Sequence, residues 1–157
     1  MNLFNHFENY FGFTERCKIE TTYRFGNPLV NASSTFILKN PNQVNKTVHP
    51  LSEEISTKLS FVAFTRGVNN IEYLETIRQI LNNIPFEESV MLLARYNYEI
   101  KVFPEKLIQQ NPNSKRAKVS FSGRTMDFMS VHAAKGLEAD NVLILNCSQD
   151  AGGFPSR

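Results

Sequence analysis

The stretch FMSVHAAKGLEADNVLILN, residues 128–146, decides the fold class of this chain. An apolar run that ends at Val131 and a second apolar run at residues 142–145 flank the polar connector HAAKGLEAD. Two short apolar runs around a polar connector are typical of buried strands that present polar groups at one end of a sheet. Open α/β sheets bind ligands at that end. The stretch therefore predicts an α/β domain with a ligand site beside the connector.

The composition is that of an ordinary soluble domain. Of the 157 residues, 41% are hydrophobic and 20% are charged, as in most globular domains. No apolar run approaches the roughly 18 residues that a membrane span needs, and the N-terminus lacks the pattern of a signal peptide. Cys17 and Cys147 lack the spacing of a disulfide framework or a zinc site. The sequence predicts a cytoplasmic domain without metal ligands and without a membrane partner.

Basic residues are concentrated between Lys101 and Lys135, a segment that contains seven basic residues and two acidic ones. A surface of that sign attracts phosphates. An ordinary solvated face with scattered lysines accounts for the same charges. The charge distribution alone leaves both interpretations open.

Hydrophobic periodicity predicts strands that alternate with helices. Apart from the runs flanking the connector, the predicted strands are residues 17–21, 61–64, 90–94 and 118–122. The predicted helices are 2–11, ended by Gly12, one from Asn27-Pro28 to Asn40, one capped by Asn69 or Asn70 and ended by Asn82-Asn83, and 103–110. Residues 42–57 are predicted to be a surface connection. This alternation favours a mostly parallel sheet with helices on both faces.

Two arginines follow predicted strands. Arg24 precedes a predicted helix, where a guanidinium can form a bidentate fork to phosphate oxygens; pairing with a carboxylate at the edge of the core is the competing interpretation. Arg95 and Tyr96 follow a strong apolar strand. A cation beside an aromatic ring suits stacking on a base and holding its phosphate, and a plain strand end is the alternative.

The connector itself carries four candidate site residues. His132 can hydrogen-bond a phosphate or a base. Lys135 and Gly136 offer a cation and an unobstructed backbone that a phosphate can approach. Glu138 can accept hydrogen bonds from ribose hydroxyls. A histidine at a strand end is usually structural, so these residues alone only suggest a nucleotide site.

Three segments resemble motifs of the UvrD/Rep-type superfamily 1 DNA helicases. SVHAAKGLEADNVLIL resembles motif V, TTYRF before a helix resembles motif IV, and VMLLARYN resembles the strand that carries motif IVa. Together with FMSVHAAKG and GGFPSR, these strings are most similar to the DNA helicase IV branch, and the similarity covers nearly the whole chain. Ser130 stands where many members have threonine, and Ala139 where the UvrD branch usually has phenylalanine.

The resemblance implies a three-layer α/β/α RecA-like domain of the P-loop NTPase type. Residues 15–157 would be the second motor domain, and residues 1–14 the remnant helix of the first. By this resemblance, Arg24 would be the catalytic arginine that reaches the ATP γ-phosphate. Glu138 would hold the ribose, in a nucleotide site to which Lys135 and Gly136 would also belong. The DNA-binding residues would be Arg95, Tyr96, Ser130 and His132.

The sequence contains no G-x-x-x-x-G-K-[ST] phosphate loop and no acidic pair that would hold Mg²⁺, and it stops before motif VI. Phosphoryl transfer needs phosphate, metal and arginine positioned together. We therefore expect a parent ATP-dependent 3′–5′ helicase that uses ATP and Mg²⁺ on single-stranded or partial duplex DNA. The first motor domain of the same parent chain would complete the site, and the fragment alone would be inactive. The competing hypothesis is a freestanding, non-catalytic α/β module that binds single-stranded nucleic acid or protein.

Overall fold

The computed structural model describes residues 3, 6–15, 17–41, 43, 46–52, 58–64, 67, 69–110, 113–114 and 116–147. The chain divides into two compact units, Met1–Ala63 and Phe64–Arg157, each with its own internal contacts. The predicted boundary after residue 14, between the first and the second motor domain of a longer parent chain, stays a prediction. Over the described ranges, every helix is too short or too polar to cross a bilayer.

The first unit begins with helix α1, Phe7–Phe11. The rings of Phe7 and Phe11 lie one helical turn apart and stack with their centroids 4.4 Å apart. The amide of Gly12 donates to the carbonyl of Glu8 at 3.0 Å, and Gly12 has a φ of +78°, a conformation that favours glycine. The predicted aromatic helix ended by Gly12 is confirmed for Phe7–Phe11, while residues 1, 2, 4 and 5 lie outside the described part.

A parallel pair of two-residue strands follows, β1 (Thr21–Thr22) and β2 (His49–Pro50). The amide of His49 donates to the carbonyl of Glu20, the residue before β1, at 2.7 Å, and the amide of Leu51 donates to the carbonyl of Thr22 at 2.9 Å. Pro50 lies between these donors, where its missing N–H costs no hydrogen bond. The prediction that residues 42–57 form only a surface connection is therefore wrong at β2, because backbone pairing forms this strand without any apolar periodicity.

Helix α2, Asn27–Ile37, completes the first unit. The predicted cap is wrong by one residue, since Gly26 occupies the N-cap position and Asn27 is the first helical residue. Pro28 lies in the first turn, where a missing N–H is tolerated. Val30 is the buried residue of this helix.

Helix α3, Asn70–Asn82, begins the regular structure of the second unit. The side chain of Asn69 accepts a hydrogen bond from the amide of Glu72 at 2.9 Å, as an N-cap residue does. Ile77 and Leu81, one turn apart, are buried. The prediction of this helix and of its cap is confirmed.

The second unit contains a five-stranded sheet with the strand order β4-β5-β6-β3-β7. The strands are β3 (Val90–Ala94), β4 (Ile108–Gln110), β5 (Ala117–Phe121), β6 (Arg124–Ser130) and β7 (Asn141–Ile144). Strand β3 is parallel to both of its neighbours, β6 and β7, whereas β4-β5 and β5-β6 are antiparallel. The fold is mixed α/β, and the expectation of a mostly parallel sheet is correct only for the β6-β3-β7 half.

A tight hairpin turn explains the antiparallel pairing of β5 and β6. Ser122 and Gly123 connect β5 to β6 with φ values of +53° and +76°. Two positive φ values are typical of the type I′ turn, whose twist matches that of a two-stranded antiparallel ribbon. Strand β6 consequently begins at Arg124, earlier than the apolar run at residues 128–131 indicated.

Two predicted elements are wrong, and the predicted strand at residues 17–21 is reduced to β1, which begins only at Thr21. Residues 61–64 form no strand. Residues 103–110 form no α-helix; the chain instead makes two 3₁₀ helices, Asn97–Val102 and Glu105–Leu107, and then β4. Pro104 separates the two short helices and cannot donate a backbone hydrogen bond, so the helical periodicity of the side chains does not produce a continuous helix.

The core of the second unit lies on one face of the sheet, under α3 and the 3₁₀ helices. It contains alternate residues of the strands together with helix residues, among them Ile77, Leu81, Leu92, Ala94, Ile100, Phe103, Val119, Phe121, Met126 and Phe128. On the opposite face, Met91 of β3 and Met129 of β6 are also buried, whereas Val142 and Ile144 of β7 are about half exposed. The helix residues of this core cluster, Ile77 and Leu81, pack on one face of the sheet, and the predicted helical cover on both faces stays a prediction.

Candidate functional site

The carboxyl ends of β3 and β6 lie side by side. Ala94 and Ser130 are partners in the parallel register, and the amide of Val131 donates to the carbonyl of Ala94 at 2.9 Å. Arg95 follows Ala94 directly, and His132 follows Val131. The structure therefore brings the four predicted DNA-binding residues to one edge of the sheet, the carboxyl edge.

An aromatic pair dominates the loop after β3. The rings of Tyr96 and Tyr98 are nearly parallel, with an interplanar angle of 11° and centroids 5.3 Å apart. The guanidinium carbon of Arg95 lies 5.3 Å from the centroid of the Tyr96 ring, within the range of a cation–π contact. Tyr96 is 37% exposed and Tyr98 is 57% exposed. The predicted cation and aromatic ring thus contact each other, and Tyr98 extends the stack.

Sequence reasoning missed Glu99, which ties this loop to the end of β7. One carboxylate oxygen of Glu99 accepts from the amide of Tyr96 at 2.8 Å, and the other accepts from the side-chain amide of Asn146 at 2.6 Å. Asn146 has a φ of +54°, a left-handed conformation that asparagine tolerates better than most residues. The position of Asn146 directly after an apolar run was the one feature of the sequence that could have pointed to this contact.

A cavity of about 350 Å³ lies behind this carboxylate, lined by Asn70, Tyr73, Glu99, Val102, Leu145 and Asn146. Burial raises the pKa of the Tyr73 phenol, and a hydrogen bond with the backbone of Asn146 partly opposes that change. A larger groove of about 710 Å³ lies at the β5-β6 hairpin and contains none of the predicted site residues.

The connector between β6 and β7 begins with a compact turn at the carboxyl edge. The amides of Ala133 and Ala134 donate to the carbonyl of Ser130 at 2.9 and 3.1 Å, and the amide of Leu137 donates to that of Ala134 at 3.0 Å. Gly136 has a φ of +84°, so a side chain at this position would strain the turn. His132, Lys135 and Glu138 are exposed.

The connector ends at the opposite edge of the sheet, the amino edge, because β6 and β7 run in the same direction. There the carboxylate of Asp140 accepts from the amide and the hydroxyl of Ser89 at 2.8 and 2.6 Å, and the Asp140 amide donates to the Ser89 hydroxyl at 2.9 Å. The hydroxyl and then the amide of Ser89 lower the pKa of Asp140. The expectation that the polar groups of the connector lie at one end of the sheet is therefore wrong for Asp140. Glu138 lies between the turn at the carboxyl edge and Asp140 at the amino edge.

Arg24 belongs to the first unit, between β1 and α2. Arg24 is exposed, and its backbone amide donates to the hydroxyl of Thr22 at 3.4 Å. This local position agrees with the predicted strand-to-helix connection. Across the ranges that the structure describes, no three His, Cys, Asp or Glu side chains are grouped as a metal site requires.

The chain is similar to DNA helicase IV of Escherichia coli. The two sequences are 29% identical over 157 residues, which is 99% of this chain and 20% of that helicase. The predicted resemblance to DNA helicase IV is confirmed, and the chain spans a fifth of the length of that curated relative. No family model and no solved structure matches the chain.

Proposed function

We propose that the chain is the second RecA-like motor domain of an ATP-dependent 3′–5′ DNA helicase. The similarity to DNA helicase IV over 99% of the chain carries this proposal. The mixed α/β fold supports it, because polar residues follow the carboxyl ends of the parallel strands β6, β3 and β7, at the edge where open α/β sheets bind ligands. The RecA-like three-layer architecture is part of the proposal.

In this proposal the carboxyl edge binds single-stranded DNA or the single-stranded part of a partial duplex. Arg95 and His132 supply groups that pair with phosphates or bases, Ser130 supplies a hydroxyl, and the tyrosines beside Arg95 supply aromatic surface. Positive charge with aromatic rings is the usual combination for strands without a fixed sequence. The contact between the Val131 amide and Ala94 supports the assignment, since it holds the two loops together.

ATP would bind at a cleft shared with the first motor domain of the same parent chain. The Arg24 guanidinium would stabilise the charge that develops on the transferred phosphoryl group. Lys135 and the open backbone at Gly136 would approach a phosphate, and Glu138 would accept hydrogen bonds from the ribose. We propose that the Mg²⁺ ligands lie outside this chain and that the chain alone does not hydrolyse ATP.

The path of the connector offers a physical link between the two ligands. Its first residues lie beside Arg95, and its last residues are anchored to Ser89, at the other end of a strand that is roughly 13 Å long. A shift of the turn that carries Lys135 and Gly136 would therefore move His132. This supports a role in coupling ATP turnover to the grip on DNA.

Single-stranded DNA should stimulate ATP hydrolysis by the full-length protein, which should also unwind a duplex with a 3′ single-stranded tail. The separate 157-residue chain should show no ATPase activity. A full-length protein that binds single-stranded DNA but shows no DNA-dependent ATP hydrolysis would favour the freestanding binding module instead. Measurement of phosphate release with and without a dT oligonucleotide decides between the two functions.

A further inference from the structure

We infer that Tyr98, rather than Tyr96, supplies the ring face on which an unpaired nucleobase stacks. The inference rests on the proposed function and refines its DNA contact. The ring of Tyr96 already has two neighbours, the Arg95 guanidinium and the Tyr98 ring, each 5.3 Å from its centroid. Tyr98 stacks on Tyr96 through one of its own two faces and is more exposed, at 57% against 37%. The accessible end of the stack is therefore Tyr98.

The stack is held in place by hydrogen bonds that do not involve the rings. Tyr98 lies in the 3₁₀ helix Asn97–Val102, whose buried residue, Ile100, belongs to the core. Glu99, the next residue along the chain, joins the Tyr96 amide to the Asn146 side chain. An aromatic surface that is ordered before binding loses little side-chain entropy when a base stacks on it. Glu99 is thus a positioning residue for the Tyr98 ring.

The neighbours of Tyr98 define the chemical class of its ligand. A phenol ring offers the same stacking surface to every base, so the site would accept an unpaired base of any identity and reject a base buried in a duplex. Arg95, next to the stack, adds a cation suited to the adjoining phosphate. The ligand is therefore a single-stranded polynucleotide bound through one base stack and its backbone charge.

The test compares two oligonucleotides of equal length and charge, oligo-dT and an oligomer of abasic sites, binding to the full-length protein without nucleotide. The wild type should bind oligo-dT more tightly, by at least about fivefold, which is the lower end for one stacked base. Tyr98→Ala and Tyr98→Leu should lose this preference and leave abasic binding unchanged, while Tyr98→Phe should keep it. Tyr10→Ala, which removes an exposed tyrosine of α1, is the matched control and should behave as wild type.

The outcomes separate this inference from the proposed function. Salt-sensitive binding of both oligomers with an unchanged preference in Tyr98→Ala would overturn the stacking role and leave the helicase proposal intact. Failure of the wild type to bind either oligomer would overturn both. Abasic binding that is equal in all variants shows that they are folded.

The positioning role of Glu99 has its own readout. Glu99→Ala should reduce the preference for oligo-dT, since the Tyr96 amide loses its acceptor, and Glu99→Gln should recover part of it through the remaining carbonyl oxygen. A full preference in Glu99→Ala would show that the tyrosine stack is ordered without this carboxylate.

Discussion

Ser89 and Asp140, fifty-one positions apart, hold each other through three hydrogen bonds at the amino edge of the sheet. Ser89 directly precedes β3, and Asp140 directly precedes β7, so the pair sets the register in which these parallel strands begin. The same connector is attached at its other end by the bond from Val131 to Ala94. Both ends of the connector are therefore fixed to the ends of a single strand, β3.

Asp140→Asn should lower the melting temperature most at neutral pH. The hydrogen bonds from Ser89 hold the pKa of Asp140 below its ordinary value. A carboxylate with a lowered folded-state pKa stabilises the fold above its unfolded pKa of about 3.9, and this contribution is lost as the pH falls through the folded-state pKa. The difference in melting temperature between wild type and Asp140→Asn, measured by thermal unfolding, should be smaller at pH 3 than at pH 7.

Glu87→Gln is the control for this experiment. It removes one exposed negative charge two positions before Ser89 and involves none of the three bonds. Its melting temperature should follow the wild type at both pH values. An Asp140→Asn difference that is the same size at pH 3 as at pH 7 would contradict the role of the ionised carboxylate.

Leu92→Ala should destabilise the second unit by about 2–5 kcal/mol, because it leaves a cavity in a close-packed core. Leu92 is fully buried in β3, which has parallel neighbours on both sides. Val142→Ala, on the neighbouring strand but about half exposed, should cost less than about 1 kcal/mol. Urea unfolding measures both variants, and equal losses would show that the α3 side of the sheet is not the core.

Arg24→Ala in the full-length protein should lower kcat for ATP hydrolysis by about a thousandfold or more, with a much smaller change in KM. The reason is that a γ-phosphate arginine acts mainly on the charge of the transition state. Arg24→Lys should recover little, because an ammonium group lacks the bidentate fork. Arg78→Ala, which removes an exposed arginine paired with Glu75 at 3.3 Å, is the control. Unchanged turnover in Arg24→Ala would remove Arg24 from the catalytic site.

His132→Ala should reduce the stimulation of ATP hydrolysis by single-stranded DNA and leave the basal rate unchanged. His132 lies beside the predicted DNA edge, on the same turn as the proposed nucleotide residues. His6→Ala, which changes an exposed histidine of the first unit, is the matched control. The ratio of rates with and without oligo-dT is the measurement, and a normal ratio would refute the coupling role.

Strong local signals predicted the central elements correctly. Helix α3 has apolar residues at helical spacing and a capping asparagine, and β3 is an uninterrupted apolar run, so each is specified by its own residues. The placement of Arg95 and His132 at the same edge could also be anticipated, because the carboxyl ends of parallel strands meet at one edge. The individual roles of the predicted site residues stay predictions.

The missed features depend on contacts between distant residues. Strand β2 exists because its amides pair with β1, and β4 exists because it pairs with β5; neither has apolar periodicity. The Glu99–Asn146 and Ser89–Asp140 contacts join residues that are 47 and 51 positions apart in the chain. A single sequence contains no periodic signal for such pairs. Their only local trace is a polar residue beside the end of an apolar run.

The turn at Ser122-Gly123 has a consequence for the order of assembly. Strands β5 and β6 can pair as soon as this two-residue turn closes, a local event on the microsecond scale. The parallel contacts of β3 with β6 and β7 require the closure of much longer loops, which costs more chain entropy. We expect the β5-β6 hairpin to form early and β7 to add last. The edge that gathers Arg95 and His132 would then be completed only when the slowest strand pairings have formed.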